Sequence, residues 1–279
     1  MRSPLRIRSR IAITAAVSAA VLCVAVVSGI VVAGLATPAA PPANAQFDYQ
    51  LGGAYEPSSS VGVVDRDRTS TPAAGRYTIC YVNAFQTQPD DTTTWSGKND
   101  DLILRDSDGE RVGDPEWDEY LLDTSTKAKR DRIAAIVNGW IDECASKGFR
   151  AVEPDNLDSW TRSAGMLTQA DNVALATQLA AHSHRKGLAI AQKNAAELAW
   201  AGKNTVGFDF AIAEECQLNA ECGEYTKVYG DDVIEIEYTD TPRSAYTDAC
   251  AAQGKRISVI LRDRDVVPKS DGAYRYKHC

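Results

Sequence analysis

From residue 46 onward, short apolar runs of strand length alternate with longer stretches of helical spacing, and nearly every short run ends on polar side chains. The run Phe149 to Val152 opens into EPDNLDSW, residues 153–160, which sets Glu153, Asp155, Asn156 and Asp158 just past a buried-strand pattern. Carboxylates are seldom buried unpaired, so a strand tip that carries several points to a ligand. VGVVDRDR ends on Asp65, YTICYVNAFQ on Asn83 and Gln86, and LAIAQKN on Gln192, Lys193 and Asn194. FDFAIAEEC follows with Glu214 and Glu215, VIEIEYTD with Glu237 and Tyr238, and RISVILRDRD with Arg262 and Asp263. With DYQL as the first, the chain offers eight such segments. This predicts the α/β class and a (β/α)8 TIM-type barrel in a single domain over 46–279, a fold of about 250 residues whose active site lies at the C-terminal strand ends.

Helices are legible where the period has room to show. Ile133, Ile136, Val137, Trp140, Ile141 and Cys144 form an apolar stripe at 3.6-residue spacing that stops at Gly148, which assigns Trp140 to packing. A second helix is expected from Thr168, with Asp171 three residues on, to Gly187. Thr87 to Ser125, rich in Asp, Thr and Gly, reads as a long insertion overhanging the strand ends.

Residues 1–45 belong to another regime. Arg2, Arg6, Arg8 and Arg10 precede an apolar run from Ile11 to Ala36 and a Pro/Ala linker that ends Ala43-Asn44-Ala45. This pattern predicts a signal peptide cleaved after Ala45, hence a secreted protein. The run is long enough to act instead as an uncleaved anchor, giving a surface-anchored protein whose membrane contact is confined to this segment. Cys23 follows Leu22 where a lipid-attachment site needs a small residue, so lipidation is not expected.

Beyond Cys23 there are six cysteines, an even number suited to an oxidising compartment. Of the 15 possible pairings, Cys216 with Cys222 closes a short loop, Cys250 with Cys279 ties down the C-terminus, and Cys80 with Cys144 is what remains. Zinc is disfavoured: there is no paired C-x-x-C, His182 and His184 fall in a helix, and His278 falls in the tail. No histidine stands at a strand end, which argues against Ser-His-Asp and Cys-His catalysis. The strand ends supply carboxylates, the minimal equipment for glycoside hydrolysis without metal or organic cofactor.

The formal charge is -8, and because residues 1–45 hold four arginines and no acid, residues 46–279 carry -12. That disfavours nucleic acid and favours neutral or cationic ligands, although an acidic surface also serves solubility.

The succession DYQLGG, GVVDRDR, ICYVNAFQ, DEYLLDTS, EPDNLDSW, IAQKN and FAIAEEC resembles glycoside hydrolase family 114, the endo-α-1,4-polygalactosaminidases, over about residues 46–265. EPDNLD and AEEC together carry the specificity of the match. The resemblance implies a (β/α)8-type barrel that cleaves galactosamine-containing polysaccharide, a polymer that is cationic when deacetylated. It assigns Asp155 as nucleophile or charge-stabilising carboxylate and Glu214 as general acid, with Glu215 the rival because neighbouring strand residues face opposite ways. A retaining carboxyl separation is expected, with Glu214 in the more desolvated setting and Asp155 ionised.

Asn156 and Asp158 are candidates for holding ring hydroxyls or the amine, and Trp160 for stacking on a sugar. Asp65, Asn83, Gln192, Lys193, Glu237 and Tyr238 complete the candidate substrate-binding set, and Tyr49, Tyr81 and Phe85 are further aromatics near the mouth. Each has a plainer reading. Asp155 and Asp158 are also placed as helix N-caps, Glu237 as a partner of Lys193 or Arg262, Asp65 as a partner of Arg66 or Arg68, and the aromatics as packing. A monomer is expected, and two other functions share these residues: a barrel that binds amino-sugar polymer without cutting it, and a glycosidase for another α-linked polysaccharide.

Overall fold

The computed structural model describes residues 38–279. The apolar run Ile11 to Ala36 lies outside them, so the signal or anchor reading falls there. The described end of the linker packs on the domain: the Tyr77 hydroxyl donates to the Ala39 carbonyl at 2.7 Å, and Ala40 and Ala45 rest against the inner core.

All eight expected strands are present. They are β1 (Phe47–Gln50), β2 (Val63–Asp67), β3 (Tyr77–Asn83), β6 (Ala151–Asp155), β7 (Ala189–Lys193), β8 (Phe210–Glu214), β9 (Val233–Tyr238) and β10 (Ser258–Arg262). A two-stranded hairpin, β4 (Gly113–Asp114) and β5 (Glu119–Tyr120), stands in the insertion, and β11 (Tyr276–His278) follows β10. The sheet runs β1-β2-β3-β6-β7-β8-β9-β10-β11, parallel throughout except for antiparallel β11. Between β10 and β1 the barrel is nearly closed, and the Tyr276 hydroxyl donates to the Phe47 carbonyl at 2.8 Å across this seam.

The helices are α1 (Lys127–Lys147), α2 (Gln169–Arg185), the single turn α3 (Ala199–Ala201), α4 (Cys222–Tyr229) and α5 (Arg243–Gln253). α1 buries the expected stripe and ends at Gly148, whose φ of 95° is the left-handed conformation that glycine adopts without steric cost. α2 starts with the Thr168–Asp171 capping box. The eightfold repeat is incomplete, because β1 to β2 and β2 to β3 are joined by loops instead of helices.

Period-2 alternation divides each strand between two cores. Phe47, Val63, Ile79, Ala151, Ala191, Ile212, Ile236 and Ile260 fill the barrel interior, while Cys80, Val82, Val152, Ile190, Ala211 and Val259 face the helices. Trp140 packs edge-on against Trp95 of the insertion, with ring centroids 5.8 Å apart, and so anchors that overhang to α1. The three expected disulfides form: Cys80–Cys144, Cys216–Cys222 and Cys250–Cys279. Such bridges mark a protein that matures in an oxidising, extracytoplasmic setting.

Candidate active site

The inward phase of β6, β7 and β8 carries apolar residues at the bottom of the barrel and charged ones at the top. Glu153, Asp155, Lys193 and Glu214 therefore converge at the strand ends. Each of these three strands reverses sharply at its tip. Asn156, Asn194 and Glu215, the residues just past Asp155, Lys193 and Glu214, have φ of 64°, 49° and 57°. Left-handed backbone is costly for residues other than glycine, least so for Asn, and such outliers gather at functional sites.

Lys193, only 2% exposed, is the hub. Its ammonium lies 3.0 Å from Glu153 Oε1, 3.3 Å from Asp155 Oδ1 and 3.3 Å from Glu214 Oε2. It also donates to the Tyr49 hydroxyl at 3.1 Å. Burial alone would lower the lysine's pKa, but Asp155, Glu153 and Glu214 outweigh it and raise the pKa well above the usual ammonium range. Burial likewise pushes Asp155 up, yet Lys193, the Asn156 amide at 2.7 Å and the Tyr81 hydroxyl at 2.8 Å together hold its carboxyl below the usual range. Glu214 accepts from Asn194 Nδ2 at 2.9 Å and from the Tyr238 hydroxyl. The Asp155 side chain is 18% exposed and that of Glu214 25%, so Asp155 is the more enclosed of the pair, the reverse of the sequence expectation.

Above this hub lies an open cleft of about 1170 Å³. Of the candidate substrate contacts, Asn156, Asp158, Lys193 and Tyr238 line it together with Asp155 and Glu214. Glu215 also reaches the cleft, at its rim, and pairs with Arg264 at 2.6 Å. Asp158 pairs with Arg162 at 3.0 Å and makes no capping hydrogen bond to the following turn.

Five candidates lie beneath or away from the cleft. Gln192 and Glu237 are on the outward phase of their strands. Gln192 is buried, donating to the Asn194 and Ala195 carbonyls and accepting from Tyr229. Glu237 accepts from the Gln217 amide at 3.0 Å, and it pairs with neither Lys193 nor Arg262. Asn83 faces inward but is covered, bonded to Glu119 and Asn156. Trp160 is half-buried against the Leu104, Leu121 and Leu167 cluster, so the aromatic exposed in the cleft is Trp117 of the insertion. Asp65 is buried below Glu153 and takes neither arginine partner: Arg66 binds Gln50 and the Thr71 and Tyr55 carbonyls, and Arg68 binds Asp91. Among the aromatics, Tyr49 and Tyr81 aim their hydroxyls at Glu153 and Asp155, and Phe85 is core.

The insertion adds residues that no periodicity announced. Glu119 accepts from Asn83 at 2.8 Å and Gln86 at 2.9 Å, and its carboxyl is pushed up to about 7, chiefly by burial and further by Asp155 and Asp114. Arg162 bridges Asp114 and Asp158, joining the overhang to the β6 tip. As for metals, Cys216, Cys222 and Glu235 converge, but the two sulfurs are joined to each other and so are not free thiolate ligands.

Inward carboxylates on two strand tips of a barrel, here β6 and β8 on either side of β7, facing an open cleft, are the working parts of a glycoside hydrolase. The fold agrees with known enzymes of this class. The chain belongs to glycoside hydrolase family GH114, whose family model matches residues 31–279. Ega3 of Aspergillus fumigatus, solved in complex with galactosamine, is 23% identical and superposes with a TM-score of 0.67 over 86% of this chain and 97% of that one. The glycoside hydrolase domain of PelA from Pseudomonas aeruginosa is 13% identical, with a TM-score of 0.55 over 80% of this chain and 96% of that one. Among curated protein sequences none matches.

Proposed function

We propose that this glycoside hydrolase is an exported endo-enzyme that cleaves α-1,4-linked galactosamine polysaccharide with retention of configuration. Asp155 acts as nucleophile and Glu214 as general acid. The observation that carries this reading is the single ammonium of Lys193, which lies 3.3 Å from an oxygen of each carboxylate. The two oxygens thus sit no farther apart than twice that length. That ceiling keeps the two carboxyl groups within the span glycosidases use, about 5 to 5.5 Å for retention and roughly 6.5 to 9.5 Å for inversion, and retention is the outcome we propose.

Asp155, held ionised by Lys193, Tyr81 and the Asn156 amide, attacks the anomeric carbon while Glu214 gives a proton to the departing glycosidic oxygen. The leaving chain diffuses away with that proton. Glu214, now a carboxylate, takes a proton from an entering water whose oxygen attacks the anomeric carbon and releases Asp155. The substrate class is supported by charge and by the relative solved with galactosamine. Eleven carboxylates but only three cations line the cleft, a setting that attracts a polymer of ammonium-bearing sugars. The cleft's open shape suits an internal stretch of chain, hence endo action. Export is supported by the three disulfides together with the basic and apolar N-terminal pattern.

The test is incubation of purified protein with partly deacetylated galactosaminogalactan, followed by mass analysis of the soluble products. Release of galactosamine oligomers of several lengths is the expected result. Polymer binding without release would favour the non-catalytic binder, and release only from another α-linked polysaccharide would move the substrate.

A further inference from the structure

Asp65 is buried on the inward phase of β2, and the proposed mechanism gives it no step. Neither of its oxygens has a hydrogen-bond partner among the described residues, and the same holds for Oε2 of Glu153. The Arg66 amide approaches Asp65 without reaching hydrogen-bonding geometry. The two carboxyl groups lie against each other. Two carboxylates are both acceptors and cannot bond, and in a buried, low-dielectric interior two adjacent negative charges are too costly to persist. One proton placed between them satisfies an oxygen on each side.

We infer that Asp65 is a positioning residue whose neutral carboxylic acid donates to Glu153 and, through Glu153, holds Lys193 against Asp155 and Glu214. This deepens the proposed function and rests on its assignment of Asp155 and Glu214.

The proton belongs on Asp65 because Glu153 is the better-solvated partner. Glu153 Oε1 already receives the Tyr49 hydroxyl and the Lys193 ammonium, each at 3.0 Å, whereas no cation pairs with Asp65 among the described residues. Burial, then the charge of Glu153, raise the Asp65 pKa well above the usual carboxyl range. The groups facing this acid pair are Tyr49 from β1, Asp155 from β6 and Lys193 from β7, with Tyr81 from β3 bonded to Asp155 and Glu214 from β8 paired with Lys193 one layer further up. With Asp65 neutral, Glu153 and Lys193 cancel, and the remaining ammonium protons are directed at Asp155 and Glu214. Without the Asp65 donor, Glu153 draws Lys193 down and away from Asp155.

The role predicts that an amide serves where a carboxylate does not. Asp65→Asn keeps a donor toward Glu153, and Asp65→Ala removes it. Asp65→Ala should lower kcat on the galactosamine polymer about 10- to 100-fold with KM little changed, as expected for a misplaced catalytic pair. It should also move the acid limb of the kcat profile to higher pH, because Asp155 loses part of its cation. Asp65→Asn should recover most of that activity and restore the limb. An infrared difference spectrum, wild type minus Asp65→Asn at pH 8, should show the carbonyl band of a protonated carboxylic acid. That arm needs no turnover, so it decides the proton's place even if the polymer is not the substrate. Absence of the band, or Asp65→Asn as impaired as Asp65→Ala with its fold intact, would overturn the inference.

Discussion

Strands β6 and β9 each carry two acidic residues spaced two apart, and the two pairs have opposite fates. In β6, Ala151 is in the barrel interior, so Glu153 and Asp155 share its phase and meet Lys193, and Asp155 reaches the cleft floor. In β9, Ile234, Ile236 and Tyr238 take the inward phase, so Glu235 and Glu237 face outward beneath the Cys216–Cys222 loop. Among the described residues, no cation pairs with either of the β9 acids. Burial, then the adjacent Glu237 charge, push Glu235 up to about 8. One residue of phase separates a pair that meets Lys193 at the strand ends from one that faces the helices, and composition does not distinguish them.

The largest effects should fall on the inward set. Asp155→Asn and Glu214→Gln should each cut kcat by about 10²- to 10⁴-fold or more. Glu237→Gln should stay within about threefold, since its amide oxygen can still accept from the loop amides. Steady-state rates paired with thermal unfolding check this, and a Glu237→Gln loss equal to that of Glu214→Gln would erase the distinction. Lys193→Met should cost about 3 to 5 kcal/mol of stability in denaturant titration, because it strands a buried carboxylate. Among the described residues no cation sits under the β9 acids, so no comparable single change exists there.

The disulfides sharpen the same contrast. Cys80–Cys144 spans 64 residues and ties β3, beside the inward set, to α1, whereas Cys216–Cys222 spans six residues over the outward pair. Chain entropy predicts losses of about 4 and about 2 kcal/mol for their respective double-alanine variants. Equal losses would show that loop length does not set the scale here.

The smallest effect per step is a pH slope, at most about 1.4 kcal/mol per pH unit. Glu235 rises from 4.5 to about 8 on folding, so the folded protein binds this proton more tightly. Its contribution to stability is present below pH 4.5 and is lost as pH climbs toward 8. Glu235→Gln, which keeps a donor toward Glu237, should flatten that decline in unfolding measured across this window. An unchanged slope would remove Glu235 as its source.

Much of this was legible in the sequence, for identifiable reasons. The eight strands could be read because each apolar run ends in polar residues, and α1 and α2 because their stripes, Gly148 and the Thr168–Asp171 box mark them. Asp155 and Glu214 stood out as acids at strand ends within motifs of the family. The phase of VIEIEYTD was harder to read: its alternation shows two faces, but a strand buried on both sides does not say which one looks inward. Glu237 and Gln192 were misplaced on that account. Trp117 and Glu119 were missed because their hairpin has no period and reaches the cleft only through tertiary packing of the insertion, where Trp95 meets Trp140.

The most direct test of the inward pair is anion rescue of Asp155→Ala. In a retaining enzyme that lacks its nucleophile, azide occupies the vacated side and displaces the leaving chain itself. Azide is expected to restore cleavage of the α-1,4-galactosamine polymer, and nuclear magnetic resonance of the new chain end to show a β-linked azide. A folded Asp155→Ala variant that azide leaves inactive, or one that yields the α-linked azide, would contradict Asp155 as the nucleophile.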